Sequence, residues 1–175
     1  MDIYFVRHGQ YNPLEFGGDG SLTLQGNLQS KVLGERFLGE RVIIEDVYYS
    51  TELRAKETAQ GFCNNIGYPF WRAIGSDYLV EERDWEDEED VVHRMQKIVN
   101  DIVETPNVFS DSVFVFGHSG SLKSLIQSYS DKKTALTVLR LPHCGFYLVK
   151  HSPPNGFCVD LESDSNSHLK GIESC

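Results

Sequence analysis

The stretch DIYFVRHG, residues 2–9, carries most of the information about the fold. Its first part is an apolar run rich in β-branched and aromatic side chains, which is typical of a strand buried on both faces of a parallel sheet. The run stops at Arg7, His8 and Gly9. A buried strand gains nothing from ending on two side chains that can carry positive charge. The sequence therefore predicts a site at the end of this strand, if other segments supply matching groups.

Strand-like and helical patterns alternate along the rest of the chain. Residues 47–49 (VYY), 113–116 (VFVF) and 145–150 (GFYLVK) have the composition of further strands. Strands that alternate with helices predict an α/β fold with layers of helices around a mostly parallel sheet.

Two segments between the strands predict helices. Residues 22–38 begin with Thr23 as a candidate N-cap and place apolar side chains on one face, namely Leu24, Leu28, Val32 or Leu33, and Phe37. Residues 88–106 carry acids in the first turn, where the helix dipole favours them, and Pro106 is expected to end the helix. The apolar positions of this second helix are Val91, Met95, Ile98, Val99 and Ile102.

Composition limits the class of protein. A chain of 175 residues fits one domain with a substantial core, and we expect this domain to cover residues 1–160, followed by a flexible tail from 161 to 175. The net charge of −10 argues against nucleic acid or an anionic membrane as the main partner. No apolar run reaches the roughly 18 residues of a membrane span, and no leader pattern precedes the first strand, so we expect a cytoplasmic protein. The four cysteines form no C-x-x-C pair and are expected to be reduced thiols.

Polar residues follow three of the predicted strands. Arg7 and His8 end the first, Ser50 follows the second as a possible N-cap of a helix that carries Arg54, and residues 117–120 (GHSG) follow the strand VFVF. In open α/β sheets, ligands bind beyond the carboxyl ends of the strands. We therefore expect these loops to converge on one pocket.

Two Arg and two His in one pocket form a strong anion site. The planar forks of Arg7 and Arg54 match phosphate oxygens, and the backbone N–H groups at a helix start near His118 bind anions as well. A neutral His8 can attack phosphorus and form a phosphohistidine, and the arginine charges are expected to lower its pKa. No metal or other cofactor is needed if arginines supply the positive charge.

A phosphoryl transfer also needs a proton for the leaving oxygen. Residues 81–90 (EERDWEDEED) hold eight carboxylates, most of which we interpret as a solvated acidic loop that leads into a helix. One of them could act as the general acid. Glu81 is the first candidate, Glu82 the second and Asp84 the third.

The combination of motifs resembles the histidine phosphatase superfamily, also called phosphoglycerate-mutase-like. The motifs occur in that family's order over residues 1–150: RHG at 7–9, LTLQG at 22–26, STELRAKETA at 50–59, LVE at 79–81 and GHSG at 117–120. The resemblance implies a three-layer α/β/α sandwich. It implies His8 as the phosphorylated nucleophile, and Arg7, Arg54 and His118 as the rest of the phosphate pocket. Its L-x-E pattern assigns the proton donor to Glu81.

Additional substrate contacts are expected from Gly9, which has no side chain to obstruct the substrate, and from Asn12 and Ser119. Many members of the family read R-H-G-x-T-x-x-N, whereas here Gln10 and Tyr11 follow the glycine and Asn12 comes two places early. The R-H-x-Q-Y form is closer to members that act on phosphoproteins. The chain also lacks the long insertions of glycolytic mutases and resembles the compact phosphatases.

The sequence thus predicts a metal-independent phosphatase that acts on a phosphorylated small molecule or a phosphoprotein. Two alternatives remain, namely phosphotransfer of the phosphoglycerate-mutase type and an inactive module that binds phosphorylated ligands. A serine hydrolase centred on Ser119 is disfavoured, because the second glycine of a G-x-S-x-G elbow is one place early and Arg7 and His8 would have no role. The oligomeric state is not predicted.

Overall fold

The computed structural model describes residues 1–13, 19–104, 112–130, 138, 140–152, 156–160 and 167–170. The strands are β1 (Asp2–Arg7), β2 (Ile44–Ser50), β3 (Ile74–Ser76), β4 (Ser112–Gly117), β5 (Phe146–Ser152) and β6 (Gly156–Asp160). The helices are α1 (Leu24–Gly39), α2 (Leu53–Ile66), α3 (Glu88–Glu104) and α4 (Ser119–Ser128).

The six strands described form one sheet in the order β3-β2-β4-β1-β5-β6. The pairs β1–β4, β4–β2 and β2–β3 are parallel, and β5 and β6 continue the sheet antiparallel to their neighbours. The mostly parallel sheet is therefore confirmed. Arg7 at the end of β1 pairs with Gly117 at the end of β4, so the residues that follow, His8 and His118, leave the sheet side by side.

Helices cover both faces of the sheet. On one face, the apolar side chains of α1 and α2 pack on Tyr4 and Val6 of β1. On the other, α3 and α4 pack on Ile3 and Phe5. Neighbouring side chains of a strand point to opposite faces, so β1 is buried on both. This arrangement confirms the α/β/α sandwich.

Helix α3 follows its sequence pattern closely. All five predicted apolar positions are buried and belong to the core under the sheet. The helix ends at Glu104, while Pro106, which was expected to end it, lies outside the described residues. In the part of the chain that is described, neither α3 nor any other helix is both long and apolar enough to cross a membrane.

The buried side chains of helix α1 differ from the predicted apolar face. Thr23 is the N-cap as predicted, and its hydroxyl accepts the N–H of Gly26. Leu33 and Phe37 are buried, but Leu24 is 92% exposed and Leu28 is 44% exposed, so only the second half of the predicted apolar face packs on the core. The reason is that the first turns of the helix bury small and polar side chains, namely Gly26, Gln29 and Ser30.

Two strands were not predicted. Strand β3 has only three residues and includes a glycine, and β6 has no buried side chain, so neither has the apolar run by which β1 and β4 were found. Of the cysteines, Cys63, Cys144 and Cys158 are free thiols, while Cys175 lies outside the described residues.

Part of the C-terminal segment packs against the domain. Residues Ser167–Leu169 form a 3₁₀ turn that contacts α1, and Leu169 is fully buried. This segment lies beyond the expected domain boundary at residue 160. Flexibility of the other tail residues stays a prediction.

The burial of Leu169 predicts that the tail contributes to stability. Leu169→Ala is expected to lower the free energy of unfolding by about 2–3 kcal/mol, because it removes buried methyl groups and leaves a cavity. The matched control is Leu38→Ala, since Leu38 is half exposed. Urea unfolding of both variants measures the difference. Equal stability of the two would show that the turn does not contribute to the core.

Candidate active site

The predicted loops meet at the carboxyl edge of the sheet. His8 directly follows β1, His118 follows β4 and begins α4 as its N-cap, and their rings lie 5.2 Å apart between centroids. The backbone N–H of His8 donates to the carbonyl of Gly117 at 3.0 Å, which joins the two strand ends. The parallel register of β1 and β4 thus brings the two histidines together.

His8 is buried, and its tautomer follows from one contact. Its Nδ1 lies 2.8 Å from the carbonyl oxygen of Gly9. A carbonyl oxygen only accepts, so Nδ1 carries the proton and donates it. This leaves the lone pair on Nε2 of His8, the nitrogen that can act as a nucleophile or acceptor.

The pKa of His8 falls to about 2. Burial is the main cause, and the nearby His118, Arg54 and Arg7 lower it further, against the opposing hydrogen bond to Gly9. The predicted direction is confirmed, but the predicted cause is not the main one. Exclusion of water, more than the arginines, keeps this imidazole neutral.

His118 is held by Glu52, a residue that the sequence reasoning missed. Its Nε2 lies 2.6 Å from a carboxylate oxygen of Glu52 and 3.0 Å from the hydroxyl of Ser50. Burial raises the pKa of Glu52, but the hydrogen bond and charge of His118, the N–H of Glu81 and the charge of Arg54 together lower it to about 2. Glu52 therefore orients His118 and also anchors the acidic loop through the Glu81 N–H, at 2.8 Å.

The interpretation of Ser50 as an N-cap is wrong. Ser50 is the last residue of β2, and Glu52 occupies the N-cap position without a side-chain hydrogen bond to the helix. Instead, the carboxylate of Asp19 accepts the backbone N–H groups of Leu53 and Arg54 in the first turn of α2. A carboxylate at this position also suits the positive end of the helix dipole. The N-cap prediction failed because the capping group comes from a distant loop.

Arg54 is 2% exposed and contacts three carboxylates. Its Nη1 lies 3.1 Å from Asp19, and its Nη2 lies 3.4 Å from Glu52 and 2.5 Å from Glu81. The guanidinium also lies 4.8 Å from the ring centroid of Tyr11. Arg54 thus links the start of α2 to the loop that carries the candidate acid.

Arg7 is bound by the segment that precedes β5. Its Nη1 donates to the carbonyl of Leu141 at 2.7 Å, and its Nη2 lies 3.1 Å from Nε2 of His143. Burial lowers the pKa of Arg7. Sequence reasoning missed His143. The structure places it at the site because β5 is antiparallel to β1, so the residues before β5 lie at the edge where β1 ends.

A cavity of about 320 Å³ opens at this edge. Four predicted site residues line it, namely Arg7, His8, Glu81 and Ser119. Glu82 and Asp84, the other candidate acids, line it too, as do Arg83, Glu86, Gly120 and Arg140. Arg54 and His118 do not line it directly, but lie behind Glu81 and His8.

The structure explains the glycine at position 9 differently from the sequence prediction. A Cβ at Gly9 would lie 2.8 Å from the carbonyl oxygen of Gly26, so the close approach of α1 excludes a side chain here. The N–H of Gly9 donates to the hydroxyl of Thr58 at 2.9 Å. Asn12 is exposed, does not line the cavity, and uses its backbone N–H to bind the carbonyl of Ser21. Substrate contacts of both residues stay predictions.

Four buried side-chain atoms in the described part of the chain have no hydrogen-bond partner. All belong to predicted site residues: Arg7 Nε, Arg54 Nε, His118 Nδ1 and Ser119 Oγ. Buried polar groups are usually paired, so this concentration of unpaired polar atoms, two of them guanidinium donors, marks a site able to bind a polar ligand. Among the described residues, no group of three or more His, Cys, Asp or Glu is arranged to hold a metal ion.

The low pKa values of buried histidines predict acid sensitivity. The ordinary value is about 6.5, whereas His8 titrates near 2 and His143 near 4 in the folded state, mainly because of burial. The unfolded chain therefore takes up these protons first, and stability falls as the pH drops below about 6.5, by up to about 1.4 kcal/mol per pH unit for His8.

Urea unfolding at pH 7, 6 and 5 measures this effect. We expect stability to decrease towards pH 5, and the decrease to be smaller in His8→Ala. His93→Ala is the control, because His93 is exposed on α3 and should leave the pH dependence unchanged. The same slope in His8→Ala and in the wild type would contradict the assignment.

Comparison with known proteins supports the resemblance noted in the sequence. The profile of the Histidine phosphatase superfamily (branch 1) matches residues 3–73, the segment from β1 to the start of β3. The resemblance to the histidine phosphatase superfamily is confirmed. The matched segment contains Arg7, His8, Gly9 and Arg54, whereas Glu81 and His118 lie beyond it.

Solved structures share the histidine phosphatase fold. A mycobacterial glucosyl-3-phosphoglycerate phosphatase superposes with a TM-score of 0.75 at 14% identity, covering 91% of this chain and 96% of its own. The protein histidine phosphatase SixA, complexed with tungstate, gives 0.70 at 20% identity, covering 91% and 94%. Bacillus stearothermophilus YhfR gives 0.73 at 21% identity, covering 96% and 98%.

One curated relative is a bifunctional enzyme. The 6-phosphofructo-2-kinase/fructose-2,6-bisphosphatase of Caenorhabditis elegans is 26% identical over 199 aligned positions, which cover 92% of this chain. This chain spans only 42% of the length of that relative.

Proposed function

We propose that this protein is a phosphatase that hydrolyses phosphomonoesters, of a small molecule or a phosphoprotein, through a phosphohistidine on His8 and without a metal ion. The observation that carries the proposal is the state of His8. It is buried beside a cavity, neutral, and has Nδ1 bound to the Gly9 carbonyl, so that Nε2 keeps its lone pair. A nucleophile that is already deprotonated needs no separate base.

The cations around His8 support phosphate as the ligand. Arg7 lines the cavity, Arg54 lies behind Glu81, and the buried unpaired atoms include a nitrogen of each guanidinium. The start of α4 adds backbone N–H groups, together with the unpaired hydroxyl of Ser119. Such preorganised donors stabilise the charge that develops on the transferring phosphoryl group.

The reaction has two steps in this proposal. First, Nε2 of His8 attacks phosphorus, the bond from phosphorus to the ester oxygen breaks, and Glu81 gives its proton to that oxygen. Then a water molecule, which loses a proton to Glu81, attacks phosphorus and releases phosphate from His8. Arg7 holds the phosphoryl oxygens in both steps, and Arg54 and His118 stabilise them from behind Glu81 and His8.

The position of Glu81 fits the role of proton donor. Glu81 lines the cavity and pairs with the same guanidinium that would hold phosphate. A phosphate bound to Arg54 would therefore lie beside the Glu81 carboxyl group, where the leaving oxygen needs a proton. Glu82 and Asp84 line the cavity as well, so a kinetic test must separate the three.

We expect Glu81→Gln to slow esters with poor leaving groups about 10²-fold or more, and nitrophenyl phosphate much less. The reason is that nitrophenolate leaves without a proton, whereas an alkoxide does not. The measurement compares kcat/KM for an alkyl and a nitrophenyl phosphate, with Glu82→Gln as the matched control. If Glu82→Gln shows this selectivity instead, the acid is Glu82.

Rapid acid or base quenching tests the phosphohistidine itself. We expect the wild type, mixed with a radiolabelled phosphomonoester, to hold label that is stable in base and labile in acid, and to lose it to water. Transfer of the label to a second sugar or glycerate acceptor, in preference to water, would favour the mutase alternative. Binding of phosphate with neither label nor turnover would favour the inactive binding module.

A substrate panel addresses the physiological substrate. The relatives are named for phosphohistidine in a protein, a phosphoglycerate derivative and a sugar bisphosphate, and each class belongs in the panel. The acids of the cavity, Glu82 and Asp84, lead us to expect faster hydrolysis of a simple aryl phosphate than of a polyphosphorylated sugar. Faster turnover of the sugar would overturn this expectation. A cytoplasmic location also stays a prediction.

A further inference from the structure

Among the described residues, the guanidinium of Arg7 has two hydrogen-bond acceptors, and both lie in the segment just before β5. The Leu141 carbonyl accepts from Nη1 at 2.7 Å, and Nε2 of His143 lies 3.1 Å from Nη2. The ring of His143 is also 5.6 Å from that of His8 between centroids. His143 is therefore next to both the nucleophile and its neighbouring cation.

The direction of this hydrogen bond fixes the state of His143. A guanidinium only donates, so Nε2 of His143 must accept with its lone pair, and His143 is neutral. Burial, and then the charge of Arg7, lowers the pKa of His143 to about 4, which agrees with a neutral ring. A neutral imidazole here can orient Arg7 and leave its positive charge available to a ligand. A carboxylate in this place would neutralise that charge.

We propose that His143 is a positioning residue, which holds the guanidinium of Arg7 in place to bind the phosphoryl group beside His8. The inference rests on the proposed function, because it concerns how the phosphate ligand Arg7 is oriented. The two acceptors bind Nη1 and Nη2, so that Nε of Arg7 is the buried nitrogen without a partner. They also restrict the side-chain torsion angles of Arg7. A donor held before the substrate arrives loses less conformational freedom when it binds.

The backbone around His143 is held independently of its imidazole ring. The N–H of Cys144 donates to the carbonyl of Arg7 at 3.0 Å, and the N–H of Arg7 donates to Gly145 at 2.9 Å. The N–H of Gly145 also donates to Pro142 at 3.0 Å. Removal of the imidazole should therefore leave the loop in place, so that its effect falls on Arg7.

The experiment compares two substitutions of similar size. His143→Gln keeps an oxygen that can accept from Arg7, whereas His143→Leu keeps the bulk but offers no acceptor. We expect His143→Leu to lower kcat/KM for nitrophenyl phosphate about 30-fold and to weaken competition by inorganic phosphate about 10-fold. His143→Gln should stay within about 3-fold of the wild type, and His93→Leu, the exposed control, should not differ from it.

A double-mutant cycle with Arg7→Met separates positioning from a general structural role. If His143 acts through Arg7, His143→Leu should change kcat/KM less than about twofold in the Arg7→Met background. Wild-type activity in His143→Leu, an equal loss in the Gln and Leu variants, or additive losses in the cycle would each overturn the inference.

Phosphate binding distinguishes this inference from the proposed function. If the wild type binds inorganic phosphate but hydrolyses no ester in the panel, the proposed function fails. The positioning role is then read from the dissociation constants for phosphate of the wild type and the two His143 variants. If the wild type binds no phosphate, both fail.

Discussion

His8→Ala is expected to lower kcat/KM for nitrophenyl phosphate by about 10⁴-fold or more, since removal of a covalent nucleophile is among the largest losses that single substitutions cause. The variant lacks the only atom proposed to bond to phosphorus, and Arg7, Arg54 and His118 cannot replace it. It should still bind inorganic phosphate, because these donors remain. A steady-state assay with competition by phosphate measures both properties.

The matched control is His93→Ala, which removes an exposed imidazole from α3 and should keep wild-type activity. Treatment of the wild type with EDTA should leave hydrolysis intact, since the proposed reaction uses arginines in place of a metal ion. Retention of more than about 1% of activity in His8→Ala would contradict the nucleophile assignment. Full loss of activity on chelation would contradict metal independence.

Arg54→Met is the second substitution with a large expected effect. We expect kcat/KM to fall about 10²-fold or more, because a phosphate ligand and the partner of Glu81 are lost together. We also expect the free energy of unfolding to fall by about 2–3 kcal/mol, because Asp19, Glu52 and Glu81 are left close together without their shared cation. Nitrophenyl phosphate hydrolysis and urea unfolding measure the two effects.

Two controls make this result interpretable. Lys56→Met removes an exposed cation from the same helix and should change neither property. Arg54→Lys keeps the charge but not the planar fork, so we expect it to recover part of the stability and little of the activity. Arg54→Met with wild-type activity would show that this buried guanidinium serves only the fold.

The sequence predicted those elements whose burial pattern is simple. Strand β1 reads as an unbroken apolar run because helices cover both of its faces, and α3 shows a helical period because all its predicted apolar positions face the core. The first turns of α1 broke this rule. They pack closely against neighbouring backbone through Gly26 and Ser30, and this kind of contact selects small residues rather than apolar ones.

The residues of the candidate site also fall into two groups, those that the sequence revealed and those that it did not. His8 and His118 could be found because each directly follows a buried strand, and parallel strands place such residues at one edge. Glu52 and His143 were missed because each is one polar residue in a loop, with no spacing that distinguishes it from a solvated side chain. Their importance comes from what they contact, namely His118 and Arg7.

The sequence alone shows that an apolar strand ends in Arg7 and His8, and that segments after similar strands carry other members of the proposed phosphate site. The state of these groups depends on how the chain folds. Burial, an effect of the whole fold, accounts for most of the low pKa of His8, and the orientation of His118 and Arg7 depends on acceptors from distant loops. Strand composition is a local property that can be read along the chain. The exclusion of water and the choice of hydrogen-bond partners, in contrast, both depend on residues that meet only in the folded protein.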